Sequence, residues 1–400
     1  MLTLKQKELI KNTVPVLKES GNALTTYFYN RMFTHNPELR NMFNMGNQQN
    51  GKQSMALAMA VLAYAENIDN PSVMKKDVNR IGNKHVSLNI RKEHYPIVGN
   101  HLLASIKEVL GKQASDELID AWGAAYNQLA GIMIGVEDNM YATNIATKGG
   151  WSGWRPFVIQ KKQKESDEIS SLYLYPIDGG SVADFFSGQY LSVKLFIPSL
   201  NLVQARQYSI SNAPNGKYYR ISVKREDKKE NLPEGMVSNM LNHSMKEGDI
   251  VELSAPAGEF ILNTKKETPV VFISGGIGQT PLLSMLEHLT ENNSKRNITW
   301  VHGCRTPAVH AFKTYIEELG TKNKITTSIF YDVVVENSNC YTGVVDVSVI
   351  KEQVLHPEAD YYICGPTQFI KKQFEDLTAL GIKRENVFYE EFAPASITLN

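Results

Sequence analysis

Three histidines, His85, His94 and His101, stand in the stretch "KHVSLNIRKEHYPIVGNHLL" among aliphatic residues at helical spacing. An imidazole can ligate a metal or carry a proton, and on an ordinary helix it can equally be a surface or hydrogen-bonded residue. A second group lies far downstream. "GGIGQTP" at 275–281 places Gly276, Ile277, Gly278, Gln279, Thr280 and Pro281 between an apolar run and a helical one, where backbone can approach a phosphate at a helix N-terminus. The G-x-G-x-x-G spacing is absent, and a plain strand-to-helix turn has the same composition. A third group comprises "GQY" at 188–190, "RQYS" at 206–209 and "EGMVSNML" at 234–241. It supplies Arg206 for a pyrophosphate, Tyr190 and Tyr208 as aromatic faces for an isoalloxazine, and Ser209 for a ring edge. The turn at Val237 and Ser238 opens a helix. These are the parts a flavin dinucleotide site needs, although each alone is an ordinary strand or turn residue.

The elements that must position these groups come in three textures. From Leu2 to about Ile145 apolar residues recur at three and four, as in Leu24, Phe28, Met32 and Leu118, Trp122, Leu129, Met133, which predicts six to eight helices. Helix ends are expected at "SGN" (20–22), "NP" (36–37), "NMGNQQNGK" (44–52), "NPS" (70–72) and "LGKQAS" (110–115). "TKGGWSGWRPF" cannot continue a helix, and a linker is placed near 146–152. Six short β-rich runs follow, from "FVIQKKQ" to "GDIVELSAPAGEFIL", the pattern of a small antiparallel barrel. From Pro269, three repeats of apolar strand then helix predict a doubly wound parallel sheet. The domains expected are 1–146, 152–263 and 264–400.

Bulk properties narrow the partners. Lys plus Arg and Asp plus Glu number 42 each, so no net field selects nucleic acid or an anionic membrane, and small molecules are the better expectation. Three cysteines (Cys304, Cys340, Cys364) are too few for a disulfide framework and suit a reducing compartment. With neither a signal peptide nor a run long enough to span a membrane, the expectation is a cytoplasmic protein; a monomer is expected separately, with no residue pattern behind it.

The order of barrel and sheet resembles the ferredoxin reductase family over about 152–400. That resemblance implies that Tyr190, Arg206, Gln207, Tyr208, Ser209, Val237 and Ser238 contact FAD and that Gly276 to Pro281 contact NAD(P)H. The terminal "YEEFAP" then puts Phe392 over the flavin ring. Relatives usually carry Cys-Phe-Gly-Pro there, whereas this chain has Glu391, Phe392, Ala393 and Pro394; the aromatic platform is kept and the glycine's backbone freedom is not. The helical region resembles a globin, with Phe43 in "NPELRNMFNM" packing against a porphyrin, and Gln53 and Leu57 one helical turn apart on the distal side. Of the three histidines the resemblance selects His85 as the iron ligand, leaving His94 and His101 as surface or structural residues. It places Tyr29 on the distal side and Tyr95 and Glu137 behind the imidazole, where a carboxylate makes the ligand more electron-donating.

Globin, flavin barrel and nicotinamide sheet in that order are together similar to the flavohaemoglobins across essentially the whole chain. The family implies haem b, FAD and NAD(P)H as cofactors. Dioxygen and nitric oxide are its small-molecule partners, and the reaction is nitric oxide dioxygenation, in which haem-bound dioxygen and nitric oxide give nitrate. Lys84 and Glu390 match positions that tune the two redox potentials. The alternative keeps the cofactors in a haem oxygen or redox sensor, or a storage globin, with an attached reductase; it predicts little NAD(P)H turnover when nitric oxide and oxygen are both present.

Overall fold

The computed structural model describes residues 2–228, 233–334, 339–356 and 358–392. Its helical part runs α1 (Leu4–Lys11), α2 (Val14–His35), α3 (Met45–Gln49), α4 (Lys52–Glu66), α5 (Lys75–Ser87), α6 (His94–Leu110) and α7 (Asp116–Ala146). Local chemistry starts the ends of this bundle. Thr3 and Gln6 form a reciprocal cap on α1, and the Ser115 hydroxyl accepts the Leu118 N–H at the head of α7. One expected break is missing. α2 runs straight through Ser20–Asn22 because buried Gly21 faces Ala58 of α4, and two small residues let the helices cross closely. Packing there outweighs the weak helix propensity of Ser, Gly and Asn. Phe28, Met32, Tyr64, Ile68, Trp122 and Ala125 form the centre of the core.

The next part contains β1 (Arg155–Lys164), β2 (Ile169–Pro176), β3 (Tyr190–Ile197), β4 (Leu202–Ser209), β5 (Tyr219–Lys224), α8 (Met236–Asn239) and β6 (Ile250–Leu253). The strands lie in the order β4-β3-β6-β1-β2-β5, and a bridge from Ile210 to Ile221 brings the chain after β4 back to β5. Alternation puts Phe157, Ile159, Leu172, Leu174, Leu191 and Val193 inside. The last part comprises β7 (Val270–Gly275), α9 (Gln279–Glu291), β8 (Ile298–Cys304), α10 (Lys313–Asn323), β9 (Thr326–Tyr331), β10 (Tyr341–Thr342), α11 (Lys351–Val354), β11 (Asp360–Gly365), α12 (Thr367–Ala379) and β12 (Val387–Glu391). Its sheet is parallel, in the order β10-β9-β8-β7-β11-β12, and β7 and β11 are buried along their whole length, which is why they read as unbroken apolar runs.

The chain divides into two compact units, Met1–Trp154 with Lys194–Arg206, and Arg155–Val193 with Gln207–Asn400. Inside the second unit, barrel and parallel sheet share a buried ion pair, Arg220 Nη2 to Glu287 Oε1 at 2.7 Å, and Glu287 Oε2 also accepts the Ala213 N–H at 3.0 Å. Among the described residues no helix is long and apolar enough to cross a membrane.

Candidate functional site

In the first unit, α5 stops just after His85. The Leu88 N–H returns to the carbonyls of Lys84 and His85, the Ile90 N–H returns to His85, and Asn89 takes a left-handed φ of 60°. The imidazole therefore projects from a helix C-terminus, and three elements meet on its inner nitrogen. Nδ1 lies 2.7 Å from Glu137 Oε1 of α7 and 3.3 Å from the Tyr95 hydroxyl at the start of α6. Tyr95 donates to the same Glu137 oxygen at 2.5 Å. Desolvation, then the bond to Glu137, push the Tyr95 phenol far above its ordinary value, so it remains a donor. Tyr95 is itself anchored: the Tyr126 hydroxyl donates to its carbonyl at 2.6 Å. That ring crosses Gly99 so tightly that a Cβ there would lie 2.5 Å from Tyr126 Cε1.

The geometry fits an axial metal ligand. The carboxylate fixes the proton on Nδ1 and leaves the Nε2 lone pair, while side-chain exposure is 32% for His85 and 3% for Glu137 behind it. Nε2 is thus the ring nitrogen left able to coordinate a metal. Half-buried Phe43, Leu57, Val61, Ile81 and Val98, packed on the core, are suitable walls for a planar apolar group such as a haem. Lys84, the preceding residue, is half-buried, and desolvation lowers its ammonium, followed by the charge of Arg80. The other two histidines have structural work: His94 Nδ1 accepts the Arg91 N–H at 2.9 Å, and His101, buried rather than on the surface, bridges Arg31 at 2.6 Å and Asn36 at 2.9 Å.

Tyr29 of α2 is 5% exposed, with ring centroids of Phe28, Phe43 and Phe33 at 4.9, 5.7 and 5.9 Å. Burial pushes its hydroxyl up to about 12, and the side-chain amides of Gln53 and Gln48 pull the other way. Gln53 stands in the first turn of α4 with Leu57 one turn on. Gln48 was not among the residues expected from sequence. It lies on α3, which Asn44 starts by accepting the Asn47 N–H at 3.1 Å. Its Nε2 is sealed from solvent, meets no partner at good hydrogen-bond geometry among the described residues, and lies close enough to the Tyr29 hydroxyl to act on it.

β4 carries Arg206, Gln207, Tyr208 and Ser209 in succession, so neighbouring side chains alternate across it. Arg206 Nη1 donates to the Ala205 carbonyl at 2.7 Å. The buried Ser209 hydroxyl has no partner among the described residues, which fits a polar edge of a bound ring system. Tyr190 is pinned by two backbone bonds to Ala257, and Gly258, at φ +113°, lies flat against its ring. Val237 and Ser238 are buried in α8, where Ser238 Oγ donates to the Gly235 carbonyl at 3.0 Å.

In the parallel sheet, a Cβ on Gly278 would fall 2.2 Å from the Cys364 carbonyl oxygen, so the loop passes β11 as bare backbone. Gly276 takes a φ of +54°, Thr280 Oγ1 donates to the Ile277 carbonyl at 3.0 Å, and Pro281 sits in the first turn of α9. Gln279, 1% exposed, leaves both ends of its amide without partners among the described residues, which fits a nucleotide seated at this helix start. The Cys364 thiol is fully buried and pushed well up, so it is no nucleophile. Beside it across the β11–β12 ladder, Glu390 hides one unpartnered carboxyl oxygen and is pushed up to about 8 by desolvation. Glu391 accepts from the Thr367 hydroxyl, and Phe392 is half exposed. Ala393 and Pro394 lie outside the described residues. Arg305, after β8, is paired with Glu168.

Comparison with known proteins gives three family models in chain order: Globin over residues 26–133, Oxidoreductase FAD-binding domain over 156–261, and Oxidoreductase NAD-binding domain over 272–374. A Flavohemoprotein of Bordetella pertussis is 49% identical, covering 99% of this chain and 100% of that one. A flavohemoglobin from Malassezia yamatoensis, solved with bound FAD and heme, is 25% identical with a TM-score of 0.87, covering 98% of this chain and 100% of that one. The FAD/NAD-binding domain of a nitric oxide dioxygenase from Vibrio cholerae is 35% identical with a TM-score of 0.56, covering 59% of this chain and 98% of that one.

Proposed function

The chain belongs to the flavohemoprotein family, a globin helical domain followed by FAD- and NAD-binding oxidoreductase domains, and from that premise we propose that it is an NAD(P)H-dependent nitric oxide dioxygenase. The observation that carries the reading is the buried Glu137 carboxylate taking hydrogen bonds from both His85 and Tyr95. A neutral storage site needs only a histidine. A carboxylate on its outer nitrogen gives the imidazole imidazolate character and favours activation of oxygen over its reversible carriage.

His85 would hold haem iron through Nε2, with Phe43 and Leu57 against the porphyrin. β4, Tyr190 and the Val237–Ser238 turn would hold FAD, and the Gly276–Pro281 loop NAD(P)H. When bound, these groups supply hydride acceptance, single-electron transfer and the iron at which nitric oxide, dioxygen and one electron become nitrate. The protein's own contributions follow from its geometry. Glu137 keeps the His85 proton on Nδ1 throughout, and Tyr95 locks that carboxylate. Tyr29, a phenol held protonated by burial with the amides of Gln53 and Gln48 beside it, would be a hydrogen-bond donor to a bound ligand that carries negative charge. Lys84 and Glu390 set the local charge near the two redox groups, and the domain limits we assign are 1–146, 152–263 and 264–400.

The test is a spectrum of the purified protein before and after NADH under carbon monoxide, followed by nitric oxide consumption in oxygenated buffer. A Soret band shifting to the ferrous carbonyl while the flavin bleaches, with nitrate formed in step with nitric oxide loss, is the expected result. Electron transfer without nitrate formation would return the chain to an oxygen-binding globin with an attached reductase.

A further inference from the structure

β4 ends one side of its sheet, and its outer backbone is met by another part of the first unit, the corner at 40–46. At the centre of that junction Gln204 is fully buried. Its Nε2 donates to the Arg40 carbonyl at 3.1 Å and to its neighbour's, Val203, at 2.8 Å. Its Oε1 accepts the Met45 N–H at 3.1 Å and stands 3.4 Å from Arg206 Nη1. Beside it the Val203 N–H donates to Asn41 Oδ1 at 2.8 Å, and a Cβ built on Gly46 would lie 3.9 Å from Arg206 Nη2. Both ends of one amide are thus spent on backbone of the segment that holds Phe43 and runs on to Gln48. An apolar side chain at 204 would take this partner from the part-buried Arg40 carbonyl and Met45 N–H.

We propose that Gln204 is a positioning residue that links occupancy of the flavin site, sensed through Arg206, to the shape of the haem-side corner from Arg40 to Gln48. The inference rests on reading Arg206 and Phe43 as cofactor contacts. Arg206 has its guanidinium on the same amide oxygen that fixes the corner's backbone, so a diphosphate that draws the arginine to a new position loads or relieves the Gln204–Met45 bond. The linkage is reciprocal: whatever flavin does to the corner, the corner does to flavin affinity.

The experiment uses haem-loaded protein with and without FAD, as wild type, Gln204→Leu, Gln204→Glu and Asn41→Ala. Two quantities are read: FAD affinity, from the fluorescence of released flavin, and the rate of carbon monoxide rebinding to the reduced haem after a light flash. In the wild type, FAD should change the rebinding rate at least twofold. Gln204→Leu should weaken FAD about tenfold, as loss of one hydrogen bond to a charged group does, and make rebinding indifferent to FAD. Gln204→Glu, which keeps the accepting oxygen, should retain part of both effects. Should Gln204→Leu not fold, Asn41→Ala, which cuts the Val203 contact together with the local Asn41–Glu38 bond, should show the same two changes at smaller size. Unchanged FAD affinity in the folded variant, or a rebinding rate that answers to FAD equally with and without the Gln204 amide, overturns the proposal. Failure of the wild type to take up haem or FAD would instead overturn the functional reading beneath it, and uptake is seen directly in the starting spectrum.

Discussion

The two sides of the candidate haem site are built on opposite principles. Behind His85 the polar groups are tied to one another: Glu137 Oε1 receives two hydrogen bonds, Tyr95 gives one and takes one from Tyr126, and the cluster draws on α5, α6 and α7. Around Tyr29 the phenol sits among Phe28, Phe33 and Phe43, and Gln48 Nε2 is buried with no partner among the described residues. A closed network fixes a residue whose position must not change during turnover, whereas an open one marks where the missing partner arrives and leaves.

The largest test of that contrast is His85→Ala. It should abolish the Soret band and nitric oxide consumption while NADH still bleaches the flavin; a retained Soret band would put the iron elsewhere. Glu137→Gln probes the closed side and should lower turnover ~10- to 100-fold, with a fall in the iron–histidine stretching frequency seen by resonance Raman. An unmoved frequency would reduce Glu137 to a packing residue. On the open side, Tyr29→Phe removes one donor worth ~1.5–3 kcal/mol against a charged acceptor and should speed dioxygen release by roughly 10- to 100-fold, leaving that frequency alone. Gln48→Leu separates the two principles most cleanly. An unpaired buried amide costs about 1–3 kcal/mol, so the variant should melt higher than the wild type while releasing dioxygen a few-fold faster; a lower melting point would show that Gln48 is already satisfied.

The smallest effect belongs to another unpartnered group, Glu390. Its acid is raised from 4.5 to about 8 in the folded chain. Between those values the folded state keeps a proton that the unfolded state has lost, so stability falls as pH rises through the window and levels off above it. Between about pH 5 and about pH 8 the wild type should therefore lose more melting temperature than Glu390→Gln, and equal losses would mean the carboxyl is hydrated.

Much of this was legible from the chain. The change from threefold and fourfold spacing to alternation, and then to unbroken apolar strands, reflects burial on one stripe, one face and two faces, and each is written in periodicity. What brings Tyr95 and Glu137 onto His85 is tertiary, since sequence distances of ten and fifty-two carry no geometry of their own; those residues were reached by resemblance. Gln48 escaped because "NMGNQQNGK" reads as a helix end. It is one, but Asn44 starts a single further turn inside it that aims the side chain inward. The helix through Ser20–Asn22 escaped for the converse reason: the glycine that reads as a stop is a contact surface for α4.

The Arg220–Glu287 pair limits how this reductase can be recombined. Arg220 belongs to a barrel strand and Glu287 to the first helix of the nucleotide sheet, and both are shielded from water. A chimaera that joins this barrel to a foreign nucleotide-binding half strands a buried guanidinium, a fault of several kcal/mol that no linker design repairs. Building blocks that look separable on paper are therefore interchangeable only as matched sets: a donor half must bring its own carboxylate at the Glu287 position, or the host must give up its arginine.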